Sequence, residues 1–422
     1  MSRFQRPRGT RDLLPQEMEK YSFVEEGLRR TADLFGFREV RTPTFEHTEL
    51  FTARSGQGIV EEMYSFHDKG GREISLRPEI TASIVRMYLN EMSHAPKPIK
   101  VFYISNCFRY ERPQSGRLRE FFQFGAEVLG APLLEADAEI IALSCAALHG
   151  LGLSGFVVRI GHIAIARDML RDAGVPEAEW PRALHALDKR DFNTLRQLLS
   201  HHGNENSSER FETLVTTQGG IETLGEVKPL IGHSAGMEYL SALFERLSHM
   251  RVSQPTIDLG VVRGLDYYTG MVFEIDAPAL GAEKQVCGGG SYALTEVFGG
   301  RPVQSTGFAM GIDRIVLGLE RQEFPFPRHG VSAYIIPVGP KAVEKALELL
   351  SELRSAGVSV DIEMMGRSLS KALEYASATS ARTSVIMGER DLASHCATIR
   401  DMRTGEQKTL KLEALVDHYR NA

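Results

Sequence analysis

The sequence predicts an α+β domain built on an antiparallel sheet with flanking helices, followed by a smaller α/β domain. Strand patterns over 100–110 and 120–128 flank a turn rich in arginine and glycine, as in a long antiparallel hairpin. After residue 328, strand and helix patterns alternate, which is typical of a largely parallel sheet. Two prolines within 321–328 indicate the linker between these regions. We therefore expect domains at 1–327 and 328–422.

The periodicity of apolar residues predicts the individual elements of both domains. Apolar residues recur every three, four and seven positions from Met18 to Phe35, and Gly36 provides a helix stop. Residues 165–250 are helical in pattern with polar faces, so we expect a helical insertion there. Helices are predicted at 12–35, 79–91, 342–355 and 369–377. Strands are predicted at 37–42, 74–77, 100–110, 120–128, 256–259, 271–275, 332–337, 358–362 and 383–387.

Composition narrows the class of protein. The 422 residues include 49 Lys and Arg against 55 Asp and Glu, a net charge of −6, which is unlike proteins that coat nucleic acid non-specifically. The four cysteines form no CxxC pair, which argues against a zinc ribbon or a disulfide framework and favours a reducing compartment. The arginine-rich start lacks the apolar core of a secretory signal, and no apolar run is long enough to span a membrane. We expect a cytoplasmic multidomain enzyme.

One glycine motif is misleading. Residues 150–155 match GxGxxG, the dinucleotide-binding fingerprint, which requires a strand before it and a helix after it. Here a helical pattern precedes the glycines and a strand pattern follows them. We therefore interpret this stretch as a glycine turn that ends a helix.

The stretch 108–122 carries four arginines within eleven residues. Arginine suits phosphate because its planar guanidinium donates two parallel hydrogen bonds, and Phe121 could stack on a base. On a hairpin, Arg109 could face Gln123 and Glu127 on the second strand. Taken alone, the pattern fits a surface hairpin with ion pairs equally well.

Three later stretches combine glycine with charged or aromatic residues. Within 262–270, Tyr267 and Tyr268 would point to opposite faces of a strand, one into the core and one into a pocket. Three glycines at 288–290 suit a backbone that closely approaches a ligand, although a loose loop is the alternative. In 307–314, Arg314 would lie in the first turns of an apolar helix, where it could bind an anion or form an ordinary ion pair.

Together and in this order, these stretches resemble the three motifs of class II aminoacyl-tRNA synthetases. The first motif is similar to 35–46, the second to 108–127 and the third to 307–314. Within that class the chain resembles the histidyl-tRNA synthetase family over nearly its whole length. The specific marks are RGTRD at 8–12, LRPE at 76–79 followed by Thr81, RGLDYY at 263–268 and CGGG at 287–290.

The resemblance implies ATP-dependent activation of L-histidine to histidyl-adenylate, and transfer to the 3′-terminal adenosine of histidine tRNA. It implies Mg²⁺ with the ATP, no tightly bound cofactor, no protein-bound metal, and a homodimer formed through the first motif. The C-terminal domain would bind the anticodon, and the insertion would clamp the acceptor arm of the tRNA. The alternative is a non-catalytic regulatory paralogue, either a regulator of histidine biosynthesis or a tRNA sensor.

The resemblance also assigns residues to roles. Those implied in catalysis are Arg109, at the α-phosphate, and Arg263, between the histidine carboxylate and the α-phosphate. The histidine-binding residues would be Glu79, Thr81, Arg109, Gln123, Glu127, Arg263, Tyr267, Tyr268 and Tyr292. The ATP-binding residues would be Arg109, Glu111, Arg117, Phe121 and Arg314. Arg112 and Gln114 would reach the tRNA acceptor end.

Four positions depart from the usual pattern of the family. Ser291 and Ala293 stand where Arg and Asp usually follow the triple glycine. Ile80 stands where many members have glycine, and Phe122 where histidine is common. None of these four residues is assigned chemistry above.

Overall fold

The computed structural model describes residues 4–53, 60–111, 118–202, 205–232, 234–262 and 267–421. The chain divides into two compact units, Met1–Pro325 and Phe326–Ala422. Within the described part of the chain, no helix combines the length and the apolar character needed to cross a membrane.

The first unit is built on a nine-stranded sheet in the order β1-β5-β6-β12-β11-β10-β7-β9-β8, and a second sheet has the order β2-β4-β3. The strands are β1 Arg38–Glu39, β2 Phe45–His47, β3 Ser65–His67, β4 Glu73–Leu76, β5 Ile99–Phe108, β6 Glu120–Leu129, β7 Val157–His162, β8 Gln218–Gly219, β9 Thr256–Asp258, β10 Tyr268–Asp276, β11 Gln285–Tyr292 and β12 Ser305–Gly311. The five pairings within the run β5-β6-β12-β11-β10-β7 are all antiparallel, which confirms the predicted α+β architecture.

Helices flank the large sheet and form the insertion between β7 and β9. They are α1 Pro15–Leu34, α2 Thr48–Thr52, α3 Thr81–Met87, α4 Leu133–Gly150, α5 Ile163–Asp172, α6 Trp180–Asp188, α7 Phe192–His202, α8 Glu205–Thr216, α9 Thr223–Ile231, α10 Ala235–His249 and α11 Ile312–Arg321. The apolar face of α1 is buried through Tyr21, Val24 and Leu28, as its periodicity predicts. Gly36 then takes a φ of 75°, a conformation that glycine adopts without steric cost.

The predicted hairpin is present, and its register places the motif-two residues. β5 and β6 pair along their full lengths, with Ser105 opposite Gln123 and Val101 opposite Glu127. Arg109 lies one residue beyond β5, so it does not face these two residues across the ladder as expected. The GxGxxG stretch lies at the end of α4 and before β7, so the helix–turn–strand interpretation is confirmed.

Two predicted elements are shorter than expected. The strand predicted at 37–42 contains only the two residues of β1, because only Arg38 and Glu39 pair with β5. The helix predicted at 79–91 is α-helical only over α3 and continues as a π-helix over Tyr88–Met92. Apolar periodicity does not distinguish these hydrogen-bonding patterns, because it reports only which face is buried.

The second unit holds a five-stranded sheet in the order β14-β13-β15-β16-β17. Its elements are β13 Ala333–Val338, α12 Pro340–Ser355, β14 Val360–Ile362, α13 Leu369–Ala378, β15 Thr383–Gly388, α14 Glu389–Ala393, β16 Cys396–Asp401, β17 Gln407–Lys411 and α15 Leu415–Arg420. The first three strands are parallel, as predicted, whereas β16 and β17 add an antiparallel edge. Ile335, Leu349 and Val385 belong to its core.

Candidate active site

A pocket of about 190 Å³ lies over the middle of the nine-stranded sheet, within the first unit. Strands β6, β10, β11 and β12 contribute to its lining, together with the start of α3 and the start of α11. Eleven of the residues predicted for histidine and ATP lie in this lining. They are Glu79, Thr81, Arg109, Glu111, Phe121, Gln123, Glu127, Tyr267, Tyr268, Tyr292 and Arg314.

Glu127 is a fully buried carboxylate in the lining of this pocket. Its Oε1 accepts a hydrogen bond of 2.8 Å from the Thr81 hydroxyl, and its Oε2 accepts one of 2.9 Å from the Tyr292 hydroxyl. Burial raises the pKa of Glu127 to about 8, although both hydroxyls act in the opposite direction. A carboxyl group held in this way can exchange a proton near neutral pH, and its position is set by two fixed donors.

A glycine on the neighbouring strand makes room for this carboxylate. Gly307 lies directly opposite Glu127 in the β6–β12 ladder. A Cβ at Gly307 would come within 1.7 Å of Glu127 Oε2, so any larger residue would displace the carboxylate. The glycine of the third motif therefore has a steric function, which sequence spacing alone does not reveal.

A second carboxylate, Glu79, stands just before α3 and is also buried. The Ala82 amide donates a hydrogen bond of 3.0 Å to its Oε1. Burial raises the pKa of Glu79, while the backbone amides and Arg109 oppose this rise. The pocket lining thus contains two carboxyl groups for which a cationic or N–H-bearing ligand would be a favourable partner.

Arg109 is the main described cation next to these carboxylates. Its Nε donates to the Pro78 carbonyl at 2.9 Å, which anchors the guanidinium at one edge. The guanidinium carbon lies 5.4 Å from the centre of the Phe121 ring, and Nη1 lies 4.0 Å from Glu111 Oε1. Arg109 therefore joins the carboxylate-lined part of the pocket to an aromatic surface.

Arg314 and its neighbour Asp313 form the part of the lining that α11 contributes. Arg314 Nη1 donates to the Gln285 carbonyl. Asp313 accepts hydrogen bonds from Arg11, from Tyr21 at 2.8 Å and from the Phe122 amide at 2.9 Å. Through these hydrogen bonds to Asp313, the N-terminal segment, α1 and β6 contact the first turn of α11, which also carries Arg314.

Gln123 has a cysteine as its neighbour on the adjacent strand. The Cys107 thiol donates to Gln123 Oε1 at 3.2 Å. Burial raises the pKa of the Cys107 thiol to about 12, so this sulfur stays protonated and serves as a hydrogen-bond donor rather than a nucleophile.

The expectation that Tyr267 and Tyr268 point to opposite faces is wrong. Both rings line the same pocket, and their centroids lie 4.9 Å apart. The reason is that β10 begins at Tyr268, so strand alternation does not extend back to Tyr267. Both rings are buried, and each contributes its surface to the pocket wall.

Four of the predicted site residues lie outside the described part of the chain: Arg112, Gln114, Arg117 and Arg263. Conversely, the pocket includes Tyr103, Gln285 and Asp313, to which the sequence interpretation gave no role. Asp313 adjoins Arg314 within the recognised third motif, so the motif was a usable signal for it. Tyr103 reads as an ordinary strand residue, and only the fold places it at the pocket.

Comparisons with known proteins agree with this geometry. The family model described as histidyl-tRNA synthetase matches residues 9–315, and the anticodon binding domain model matches 332–421. The histidine–tRNA ligase of Methanocaldococcus jannaschii is 42% identical over 98% of this chain and 99% of its own.

Two solved structures are similar at 27% identity. Apo histidyl-tRNA synthetase from S. aureus covers 99% of both chains with a TM-score of 0.74. A Bacillus halodurans protein described as an ATP phosphoribosyltransferase regulatory subunit/histidyl-tRNA synthetase covers 92% of this chain and 99% of its own, with a TM-score of 0.79. The fold and the matched models define a class II aminoacyl-tRNA synthetase. Within that class, the chain belongs to the histidyl-tRNA synthetase family.

Proposed function

We propose that this chain activates L-histidine with ATP and transfers the histidyl group to the 3′-terminal adenosine of histidine tRNA. The 42% identity to a histidine–tRNA ligase over nearly the full length of both chains supports this function. The observation that carries it is a pocket with two buried carboxyl groups, Glu79 and Glu127, beside the guanidinium of Arg109. This charge arrangement complements an amino acid that has an ammonium group, a carboxylate and an N–H-bearing ring.

The imidazole ring would be recognised by Glu127 and Tyr268. A neutral imidazole has one donor nitrogen and one acceptor nitrogen. The carboxylate of Glu127 accepts from the first, and the hydroxyl of Tyr268 donates to the second. Thr81 and Tyr292 hold Glu127 from the two sides described above. Tyr267, beside Tyr268, would pack against the ligand.

The ammonium group of histidine would lie among oxygen acceptors. Glu79, the Thr81 hydroxyl and the Gln123 amide line the pocket together and provide such acceptors. The thiol of Cys107 donates a hydrogen bond to Oε1 of Gln123. This contact favours the orientation of the Gln123 amide in which the oxygen, rather than the nitrogen, faces Cys107. An ammonium ion near Glu79 would offset the unfavourable burial of that carboxylate.

ATP would be bound mainly by arginine. Arg109 and Arg263 would bind the α-phosphate region, and Arg314 and Arg117 the remaining phosphates. Glu111 and Phe121 would bind the adenine ring. Phosphoryl transfer of this kind depends on positioning and charge stabilisation more than on a covalent catalyst. We propose that Mg²⁺ arrives with the ATP, because it would neutralise the charge of the phosphates.

The tRNA would meet both units of the chain. Arg112 and Gln114 would approach the acceptor end, and the unit after residue 325, which matches an anticodon binding domain, would bind the anticodon. The helical insertion would clamp the acceptor arm. We place this reaction in the cytoplasm, where tRNA is charged.

We further propose a homodimer that uses the small sheet beside the first motif. Phe45 lies opposite Leu76 and Phe66 opposite Ile74, so all four share one face of this sheet. Phe45 is 55% exposed and Phe66 is 46% exposed. The opposite face is polar and turned inward, because the buried Ser75 hydroxyl bonds the hydroxyls of Ser65 and Thr48. A second copy of the chain would cover the apolar face.

Amino-acid-dependent exchange of pyrophosphate into ATP tests the proposed reaction. Each proteinogenic amino acid is assayed with the wild type, Arg109→Ala and Arg263→Ala. We expect exchange with histidine alone, and loss of exchange in both variants. Exchange with another amino acid would refute the roles of Glu127 and Tyr268. Absence of exchange from folded protein that binds ATP would favour the regulatory alternative.

Analytical ultracentrifugation tests the proposed dimer. We expect the wild type to sediment as a dimer, and the double variant Phe45→Ser with Phe66→Ser to shift towards monomer. A monomeric wild type at assay concentration would refute the interface.

A further inference from the structure

A buried carboxylate that no role above accounts for lies on the helix side of the large sheet. Asp137, in α4, is fully buried. Its Oδ2 accepts a hydrogen bond of 2.6 Å from the Tyr239 hydroxyl and one of 2.7 Å from the Ser291 hydroxyl. These hydroxyls come from two different elements, α10 and β11. A single oxygen of Asp137 therefore joins three parts of the first unit.

One of these parts leads directly to the histidine pocket. Ser291 immediately precedes Tyr292, and consecutive residues of a strand point to opposite faces of the sheet. Ser291 bonds Asp137 on the helix side, while Tyr292 bonds Glu127 at 2.9 Å on the pocket side. The two hydrogen bonds hold adjacent residues of β11 from opposite faces. A shift of β11 at Ser291 would move the Tyr292 hydroxyl relative to Glu127.

The other part leads to the insertion. Tyr239 lies on α10, the last helix of the insertion, and its ring centroid lies 5.1 Å from that of His162. His162 is the last residue of β7, and its Nδ1 accepts from the Ala164 amide at the start of α5, the first helix of the insertion. Both ends of the insertion thus meet beside Asp137.

We propose that Asp137 is a positioning residue that couples the helical insertion to the histidine pocket through Ser291 and Tyr292. This coupling rests on the proposed roles of Glu127 and Tyr292 in histidine binding. It also gives Ser291, where the family usually has arginine, a defined function: a short hydroxyl that reaches a buried carboxylate. Burial raises the pKa of Asp137 to about 6, against the effect of the surrounding hydroxyls, so the group is mainly an acceptor at neutral pH.

Steady-state pyrophosphate exchange with single and double variants tests the coupling. Ser291→Ala should raise the KM for histidine about three- to tenfold, as for loss of one buried hydrogen bond to a charged group. The KM for ATP and the kcat should change by less than about twofold, because the ATP side of the pocket keeps its contacts. Tyr239→Phe should change the histidine KM in the same direction. Because both hydroxyls bind one oxygen, the double variant should show less than the product of the single effects.

The matched control is Ser144→Ala, which removes a buried hydroxyl from α4, the helix that carries Asp137. That hydroxyl bonds only its own helix, at Ile141, among the contacts of the described residues. The control should leave the histidine KM unchanged. Should Ser291→Ala unfold, Asp137→Asn provides the second variant, since it keeps the shape and an acceptor oxygen while removing the charge. It should raise the histidine KM by less than Ser291→Ala is expected to.

Three outcomes would overturn the coupling. These are an unchanged histidine KM in folded Ser291→Ala, an equal rise in the KM for histidine and ATP, and fully multiplicative effects in the double variant. Failure of the proposed function itself is separate, because the wild type would then show no histidine-dependent exchange.

Discussion

Two groups of buried carboxylates on the same sheet differ in what compensates their charge. In the pocket, Glu127 accepts hydrogen bonds from two neutral hydroxyls. Near the insertion, the Arg159 guanidinium binds three carboxylates at once, through separate nitrogens. Its distances are 2.7 Å to Asp258, 2.6 Å to Glu274 and 3.0 Å to Asp276.

The pKa directions follow from this difference. Burial alone would lower the pKa of Arg159, but its three carboxylate partners outweigh burial and raise it. In the pocket, burial outweighs the two hydroxyls and raises the pKa of Glu127. Buried carboxylates that have a cationic partner within the protein depend on that partner for the stability of the fold. A carboxyl group that lacks such balance is poised to receive its partner from the substrate.

The largest effect is expected on stability, from Arg159→Met. Removal of the guanidinium leaves three largely buried carboxylates together, which should lower the free energy of unfolding by about 3–5 kcal/mol. This loss is measured by urea unfolding of the wild type and the variant, followed by the fluorescence of Trp180, the single tryptophan. The matched control is Arg29→Met, whose pairs with Glu25 and Glu39 are more exposed and should contribute at most about 1 kcal/mol. Equal losses in the two variants would refute the distinction.

The next effect is expected on activity, from Glu127→Gln. A neutral amide keeps the shape but replaces one oxygen of the carboxyl group with an NH2 donor and cannot carry a negative charge, so kcat/KM for histidine should fall about 100-fold. The matched control is Glu274→Gln in the Arg159 group, which should leave kcat/KM for histidine within about threefold because it does not line the pocket. A similar fall in both variants would show that the loss is structural.

A smaller effect is expected from Tyr292→Phe. This change removes one of the two donors to Glu127 and leaves the ring in place. The KM for histidine should rise about three- to tenfold, the range for one hydrogen bond to a charged group. Tyr334→Phe is the control, since it removes a tyrosine hydroxyl that also bonds a glutamate, Glu363, but in the second unit. An unchanged KM in Tyr292→Phe would remove Tyr292 from the recognition of histidine.

The last prediction concerns the pH dependence of stability. Folded Glu127, with a pKa near 8, retains a proton that the unfolded chain releases around its ordinary pKa of 4.5. Between these values the native state binds more protons, so this residue makes stability fall as pH rises. Glu127→Gln removes this contribution. We therefore expect the difference between the Tm of the variant and the Tm of the wild type to increase from pH 5 to pH 8. Calorimetry without ligand measures both Tm values. A Tm difference that stays constant over this range would contradict the raised pKa of Glu127.

The contrast between the two groups also shows where sequence interpretation succeeds. The long hairpin was predicted because apolar alternation and a glycine-containing turn are local properties of the chain. Glu127 was assigned through its motif, whereas the role of Gly307 became visible only when the ladder placed it opposite that carboxylate. The Tyr267 and Tyr268 prediction was wrong because alternation holds only within a strand, and β10 begins at Tyr268.

Local patterns in the chain were sufficient to predict the two-domain order, the antiparallel hairpin and, through the recognised motifs, eleven residues that line one pocket. Periodicity and motif spacing encode such features because they depend on neighbours along the chain. The partners of Asp313, Asp137 and Arg159 could not be predicted in this way. Their hydrogen bonds join residues roughly a hundred or more positions apart. Burial and nearby charges, which together set their pKa values, exist only after the sheet and helices have packed.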